Sequence, residues 1–137
     1  MTSFRVSIGG IQIQDGMILT LDKSKGEPKI NFDRYKNENF TIVMVDPDAS
    51  AKYHLHLLII NNNITVADYQ PPNPPKGDKQ HRYIFYLLRQ EKILDENNIK
   101  KFLGDVLKKR GYFNFGEFVA KNNLEIINSV HFVTENK

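Results

Sequence analysis

Short stretches of alternating apolar and polar residues fill the first forty positions of the chain. The alternation is clear over residues 4–8 and 11–13, and residues 17–21 are typical of a further strand. A period of two predicts strands with one buried face, and the glycines between the stretches are typical of turns. A charged loop is predicted at 23–27 and another turn at 35–38.

Three longer apolar stretches occupy the middle of the chain. Residues 41–45, 55–60 and 82–88 are rich in β-branched, aliphatic and aromatic side chains, which is typical of strands at the centre of a sheet. Residues 70–80 contain four prolines and a glycine, so they predict an ordered loop without repeating structure. A final strand is predicted at 126–133.

The hydrophobic period changes to that of a helix after the third of these strands. The apolar stripe has five members: Ile99, Phe102, Leu103, Val106 and Leu107. We predict one helix over 99–107, with the basic residues 108–110 on its solvated face and Gly111 as its C-terminal cap. Asn114 followed by Glu117 resembles a capping box and predicts a second, shorter helix.

These elements predict a mainly β domain made of two packed, antiparallel sheets with one or two short peripheral helices near the C-terminus. The length of 137 residues suits one compact domain spanning 1–137. A chain of this size buries enough surface to fold without a metal or a disulfide.

Composition narrows the classes of function. The chain has no cysteine, which excludes thiolate chemistry and disulfides. No apolar run approaches the roughly 20 residues of a membrane-spanning helix, and the N-terminus lacks the apolar core of a secretion signal, so we expect a cytoplasmic protein. A net charge of +3 and a pI of about 9.0 are compatible with peripheral membrane contact. No nucleic-acid-binding signature occurs, so we expect no nucleic-acid partner.

Candidate chemistry lies at the ends of the three central strands. Asp46 and Asp48 follow the first strand, His56 lies on the second, and His81 precedes the third. If these strands are neighbours, the four side chains converge on one edge. An imidazole N–H donates well to a phosphate oxygen, whereas a carboxylate repels phosphate and serves better to orient and charge a histidine. Asp48 alternatively braces its own turn through backbone hydrogen bonds.

The same residues resemble a known family, the phosphatidylethanolamine-binding proteins, which include the Raf kinase inhibitor proteins. The resemblance rests on four motifs in order: Asp46-Pro47-Asp48-Ala49, His56 on a strand ending in Asn61, Pro74-Pro75-Lys76-Gly77 and His81-Arg82-Tyr83. It implies a β-sandwich with a small anion pocket at one end. The pocket would be lined by Asp46, Asp48, His56 and His81 and walled by Pro74, Pro75 and Tyr83. Accessory positions would be His54, Asn73, Lys76 and Gly77.

Several residues depart from the family pattern. Ser50 stands where proline is usual, His54 where an aromatic wall residue is common, and Asn73 where glycine is usual. The chain also ends at Lys137, without the longer C-terminal segment that often covers the site. We therefore expect a shallower and more open pocket.

The resulting hypothesis is a non-enzymatic binding module without cofactor or metal. It would bind a phosphorylated small molecule or a phospholipid head group and modulate a signalling protein. One alternative is a protein-interaction domain with a vestigial pocket. Another is a metal-dependent hydrolase that uses the aspartates and histidines as ligands, although a His-Glu-x-x-His spacing is absent.

Overall fold

The computed structural model describes residues 3–33 and 37–137, and nine strands and three short helices are found there. The strands are β1 (Phe4–Ile8), β2 (Ile11–Gln12), β3 (Met17–Ile18), β4 (Lys29–Phe32), β5 (Asn39–Asp46), β6 (His54–Ile60), β7 (Ile64–Ala67), β8 (His81–Gln90) and β9 (Leu124–Thr134). The helices are α1 (Glu96–Leu103), α2 (Val106–Lys109) and α3 (Phe115–Lys121). The predicted mainly β fold is confirmed. In the described part of the chain, no helix is long and apolar enough to cross a membrane.

The strands form two sheets. The larger has the order β3-β9-β8-β5-β6-β7, and the smaller has the order β2-β1-β4. All pairs are antiparallel except β3 with β9, which is parallel and departs from the antiparallel prediction. The three strands with the strongest apolar patterns, β5, β6 and β8, lie side by side at the centre of the larger sheet.

Strand β5 explains why the larger sheet lies between two layers. Val43 and Val45 pack in a cluster with the helices, whereas Met44 packs with residues of the smaller sheet and with Tyr83. Successive side chains of a strand point to opposite faces, so a strand covered on both faces has a continuous apolar sequence instead of an alternating one. The helices therefore cover one face of the larger sheet and the smaller sheet covers the other.

The prediction of a single helix over 99–107 is wrong, because the helix is interrupted at Gly104. This glycine has a φ of 53° and its N–H donates to the carbonyl of Lys100, which ends α1. Helix α2 follows and ends at Arg110, whose φ is 68°. The cap predicted at Gly111 is therefore also wrong. The apolar stripe is shared between two helices, which a periodicity of 3.6 residues does not reveal.

Helix α3 is the second helix predicted from the sequence, and Asn114 is its N-cap as predicted. The side chain of Asn114 accepts a hydrogen bond from the Glu117 N–H at 3.0 Å and donates one to the Glu117 carboxylate at 3.3 Å. Phe118, in the middle of α3, is fully buried. The first bond satisfies an N–H group that the first turn of a helix otherwise leaves unpaired, and the second joins the two side chains.

Arg110 has a structural role that the basic run of the sequence does not reveal. Its guanidinium donates to the carbonyl oxygens of Leu107 at 3.2 Å, Leu55 at 3.1 Å and Asp68 at 2.9 Å. Burial lowers its pKa, partly offset by the negative charge of Asp68. The prediction of a solvated face is wrong at this residue, since its side chain ties α2 to β6.

Two strands have no sequence prediction of their own. β4 pairs with β1 in the smaller sheet, and β7 forms an edge of the larger one. Both are four residues long. Of the turn predicted at 35–38, residues 35 and 36 lie outside the described residues, and Asn37 lies in a turn with a φ of 74°.

Candidate functional site

Antiparallel pairing brings the candidate residues to one edge of the larger sheet. Asp46, the last residue of β5, pairs with His54, the first residue of β6. On its other side β5 pairs with β8, which begins at His81. Because neighbouring strands run in opposite directions, the end of β5 meets the beginnings of both β6 and β8.

A β-bulge determines the place of His56. The register between β5 and β6 shifts between Met44 and Val45, which pair with Leu57 and Leu55, so His56 is the extra residue. Bulges are common beside functional sites, where they redirect a side chain. The ring of His56 lies 4.7 Å from that of His54 and 5.2 Å from that of Tyr83, measured between ring centroids.

A cavity of about 770 Å³ opens at this edge. Its lining comes from the strand ends, the loop after β5, the proline-rich loop before β8 and the turn before β4. The lining residues are Leu21, Lys25, Asp46, Ala49, Ser50, Ala51, His54, His56, Gln70, Pro71, Pro72, Asn73, Pro74, Pro75, Asp78, His81 and Tyr83. Three positions named from the sequence, Asp48, Lys76 and Gly77, are not among them.

His81 lies between two carboxylates. Its Nδ1 is 2.7 Å from Asp46 and its Nε2 is 2.9 Å from Asp78. An ionised carboxylate can only accept, so the ring bonds both carboxylates when each nitrogen carries hydrogen, which is the cationic form. Burial acts to lower the pKa of His81, but the hydrogen bonds that its ring donates to both carboxylates outweigh burial, and the pKa is raised.

His56 is held in the opposite charge state. Its Nδ1 donates to the backbone carbonyl of Gln70, which leaves Nε2 without hydrogen in the neutral ring. Burial is the main cause that lowers its pKa to about 4, and the bond to the Gln70 carbonyl only partly offsets this. In the neutral ring, Nε2 therefore accepts from a ligand's donor group and does not donate to a phosphate oxygen.

Two further polar side chains, His54 and Tyr83, belong to the lining. The His54 Nε2 forms a hydrogen bond with the side chain of Gln70, which arranges both on the rim. Tyr83 is fully buried, and its hydroxyl has no hydrogen-bond partner among the described residues. Burial, followed by the negative charge of Asp46, raises the pKa of Tyr83, so it remains a neutral donor.

Asp48 turns away from the cavity and pairs with Arg82. Its carboxylate accepts from the Arg82 backbone N–H at 2.8 Å and from two guanidinium nitrogens at 2.9 and 3.0 Å. The bond from the Arg82 side chain is the main cause that lowers the pKa of Asp48. The carboxylate therefore joins the end of β5 to β8, instead of lining the cavity or bracing its own turn.

The loop before β8 is fixed by the C-terminal tail. The Gly77 N–H donates to the carbonyl of Asn136 at 2.7 Å, and the Asn136 side chain donates to the carbonyl of Pro74 at 3.2 Å. The N–H groups of Asp78 and Lys79 also have partners, the Pro75 carbonyl and the Asp78 carboxylate. These three N–H groups are therefore not free to bind an anion.

No group of three or more His, Asp or Glu side chains in residues 3–33 and 37–137 is arranged to hold a metal ion.

Among the lining residues that sequence reasoning missed, three carry a charge or an amide: Lys25, Gln70 and Asp78. Lys25 and Gln70 lie in loops that only the tertiary fold brings to the cavity. The sequence could have indicated Asp78, because it lies three residues before His81 and directly after the Pro-Pro-Lys-Gly motif.

The chain belongs to the phosphatidylethanolamine-binding protein family. The family model with that description matches residues 58–131. A phosphatidylethanolamine-binding protein homolog of Acanthamoeba polyphaga mimivirus is 44% identical over 138 residues, which cover 96% of each chain.

Two further relatives show how varied similar proteins are. A 26 kDa secreted antigen of Toxocara canis is 28% identical over 144 residues, which cover 88% of this chain and 55% of the antigen. The crystal structure of carboxypeptidase Y inhibitor complexed with its cognate proteinase superposes with a TM-score of 0.80 at 24% identity, covering 98% of this chain and 83% of the inhibitor. At that identity the likeness shows a shared fold.

Proposed function

We propose that this protein is a non-enzymatic binding module whose cavity takes a phosphate-bearing group, either a phospholipid head group or a phosphorylated group. The observation that carries this proposal is the buried imidazolium of His81 on the lining of a cavity of about 770 Å³. A buried cation in a largely preformed cavity favours an anion because little water screens the charge.

The remaining lining adds selectivity. Neutral His56 offers an acceptor through Nε2. Lys25 contributes a cation at the rim. A phosphate ester that also carries a donor, such as phosphoethanolamine, matches this set better than a bare anion.

The lining offers little for catalysis. Ser50 is the serine on the cavity wall. Among the described residues, no hydrogen bond joins its hydroxyl to a histidine. An activated nucleophile requires such a contact with a base. A role in binding agrees better with this geometry than hydrolysis does.

A protein partner is the second part of the proposal. The carboxypeptidase Y inhibitor, which shares this fold, was crystallised with its cognate proteinase. We propose that this chain likewise acts on a protein, in the cytoplasm, and that its cavity holds a phosphorylated group of that signalling partner. A pure interaction domain with a vestigial cavity would bind its partner without using His81.

The test is an NMR titration with phosphoethanolamine and with inorganic phosphate. We expect shifts around His56, His81 and Tyr83, with His81→Gln abolishing them. Gln is chosen because truncation to Ala would leave the carboxylate of Asp46 buried and unpaired. The matched control is His131→Gln, since His131 pairs with Asp15 outside the cavity. Unchanged affinity in His81→Gln, or no shifts in the wild type at millimolar ligand, would overturn the proposed function.

A further inference from the structure

The outward-facing nitrogen of His81 is already occupied by a carboxylate of the chain itself. Asp46 takes Nδ1 from the interior, and its side chain is 5% exposed. The Asp78 carboxylate contacts Nε2 from the cavity side, and the Asp78 side chain is 46% exposed. An imidazolium has two N–H groups, so no donor on His81 is left for a ligand.

The carboxylate of Asp78 has the properties of the anion that the cavity is proposed to bind. It carries a negative charge, presents an oxygen to Nε2 at 2.9 Å and lies on the cavity lining. A phosphate oxygen needs the same N–H in the same direction. The two anions therefore compete for one position.

The backbone around Asp78 is fixed, whereas its side chain can leave. The Asp78 N–H donates to the Pro75 carbonyl at 3.0 Å, and the neighbouring Gly77 N–H donates to the Asn136 carbonyl at 2.7 Å. One carboxylate oxygen of Asp78 contacts His81, and the other accepts from the Lys79 N–H. Water can solvate a half-exposed carboxylate once it turns outward, so displacement requires a side-chain rotation and no change of the loop.

We propose that Asp78 is an internal anion that occupies the ligand position on His81, and that an anionic ligand binds by displacing it. This inference rests on the proposed function of the cavity. It makes Asp78 a determinant of affinity: the Nε2 position of His81 is already occupied by a carboxylate when the cavity is empty, and a ligand must compete with that carboxylate to bind there.

The test compares sulfate and phosphoethanolamine binding in the wild type and in Asp78→Ala at pH 5.5. Sulfate keeps its charge at every pH used, and the low pH keeps His81 protonated after one of its two carboxylate partners is removed. We expect Asp78→Ala to bind both ligands about tenfold more tightly, the fold-change that corresponds to about 1.4 kcal/mol. Asp78→Asn, which keeps the shape but not the charge, should gain less.

Two controls separate displacement from a general effect of charge. Asp105→Ala removes the same charge from an exposed residue that does not line the cavity and makes no side-chain cap bond, so it should leave affinity unchanged. The double variant Asp78→Ala with His81→Gln should lose the gain. A direct readout is the NMR chemical shift of the Asp78 carboxyl carbon, followed as the pH is changed. The hydrogen bond from His81 lowers the pKa of Asp78, and saturating sulfate should raise this pKa toward its ordinary value.

The possible outcomes distinguish failure of this inference from failure of the proposed function on which it rests. If the wild type binds and Asp78→Ala binds more tightly in a way that depends on His81, the inference is supported. If the wild type binds and Asp78→Ala binds no tighter, or Asp105→Ala gains equally, the inference is wrong and the proposed function stands. If neither protein binds either ligand at millimolar concentration, both are overturned.

Discussion

Protonation of His56 should destabilise the protein in mild acid. The ring is 4% exposed, and Nδ1 donates to the Gln70 carbonyl. The folded protein holds its pKa at about 4 instead of 6.5, so a proton binds the unfolded chain more readily than the folded one. The stability associated with neutral His56 is therefore complete above pH 6.5 and is lost as the pH falls toward 4.

The magnitude follows from the difference between the two pKa values. Each pKa unit corresponds to about 1.4 kcal/mol. The fall from 6.5 to about 4 predicts that the folded state loses about 3 kcal/mol between pH 7 and pH 4 through this group alone. A loss of that size is a large part of the stability of an ordinary domain.

The assay is urea unfolding of the wild type and of His56→Gln at pH 7, 6, 5 and 4. Other groups titrate in both proteins, so the difference in their unfolding free energies isolates His56. We expect this difference to move by about 3 kcal/mol in favour of the variant across the range. NMR should show the ring of His56 titrating near pH 4. A difference that is flat with pH, or a ring that titrates near 6.5, would refute the reasoning.

Three other perturbations test neighbouring parts of the site. Sulfate binding should weaken as the pH rises through the raised pKa of His81, because the cation disappears while sulfate keeps its charge; calorimetry that shows constant affinity from pH 5 to 9 would contradict this. Asp48→Asn should cost about 1 kcal/mol in urea unfolding, as expected for a partly exposed ion pair, and leave sulfate affinity unchanged because the residue does not line the cavity. Gly111→Ala should lower the melting temperature and perturb NMR signals of the loop after β5, because its new Cβ would lie 2.9 Å from the Cβ of Ala51. Gly116→Ala, where the nearest atom would be 3.8 Å away, is the matched control and should not destabilise.

The chemical identity of much of the site was predictable from sequence order. Asp46, His56 and His81 stand at the ends of three strongly apolar strands, and the structure places all three on the lining of one cavity. Their charge states were not predictable. His56 and His81 belong to the same residue type, yet one faces a backbone carbonyl and is buried neutral, and the other faces two carboxylates and is charged.

Asp48 and Asp78 show most clearly that residue order does not predict the direction of a side chain. The motif that contains Asp48 is readable in the sequence, but its carboxylate turns to Arg82, on the neighbouring strand β8. Asp78 belongs to no motif that sequence reasoning used, and its carboxylate reaches the ring of His81. The direction of a side chain depends on which partners the fold brings near it, and residue order alone does not contain that information.

The amino-acid sequence by itself determined the mainly β class, the central strands, the helix that begins at Asn114 and the family resemblance. These depend on local periodicity, capping chemistry and short motifs, which act over a few residues. Only the tertiary structure decided the parallel pair of β3 with β9 and the cavity built from loops distant in the chain. These features arise from packing and electrostatic contacts between residues far apart in sequence, whose energies exist only once the strands have assembled.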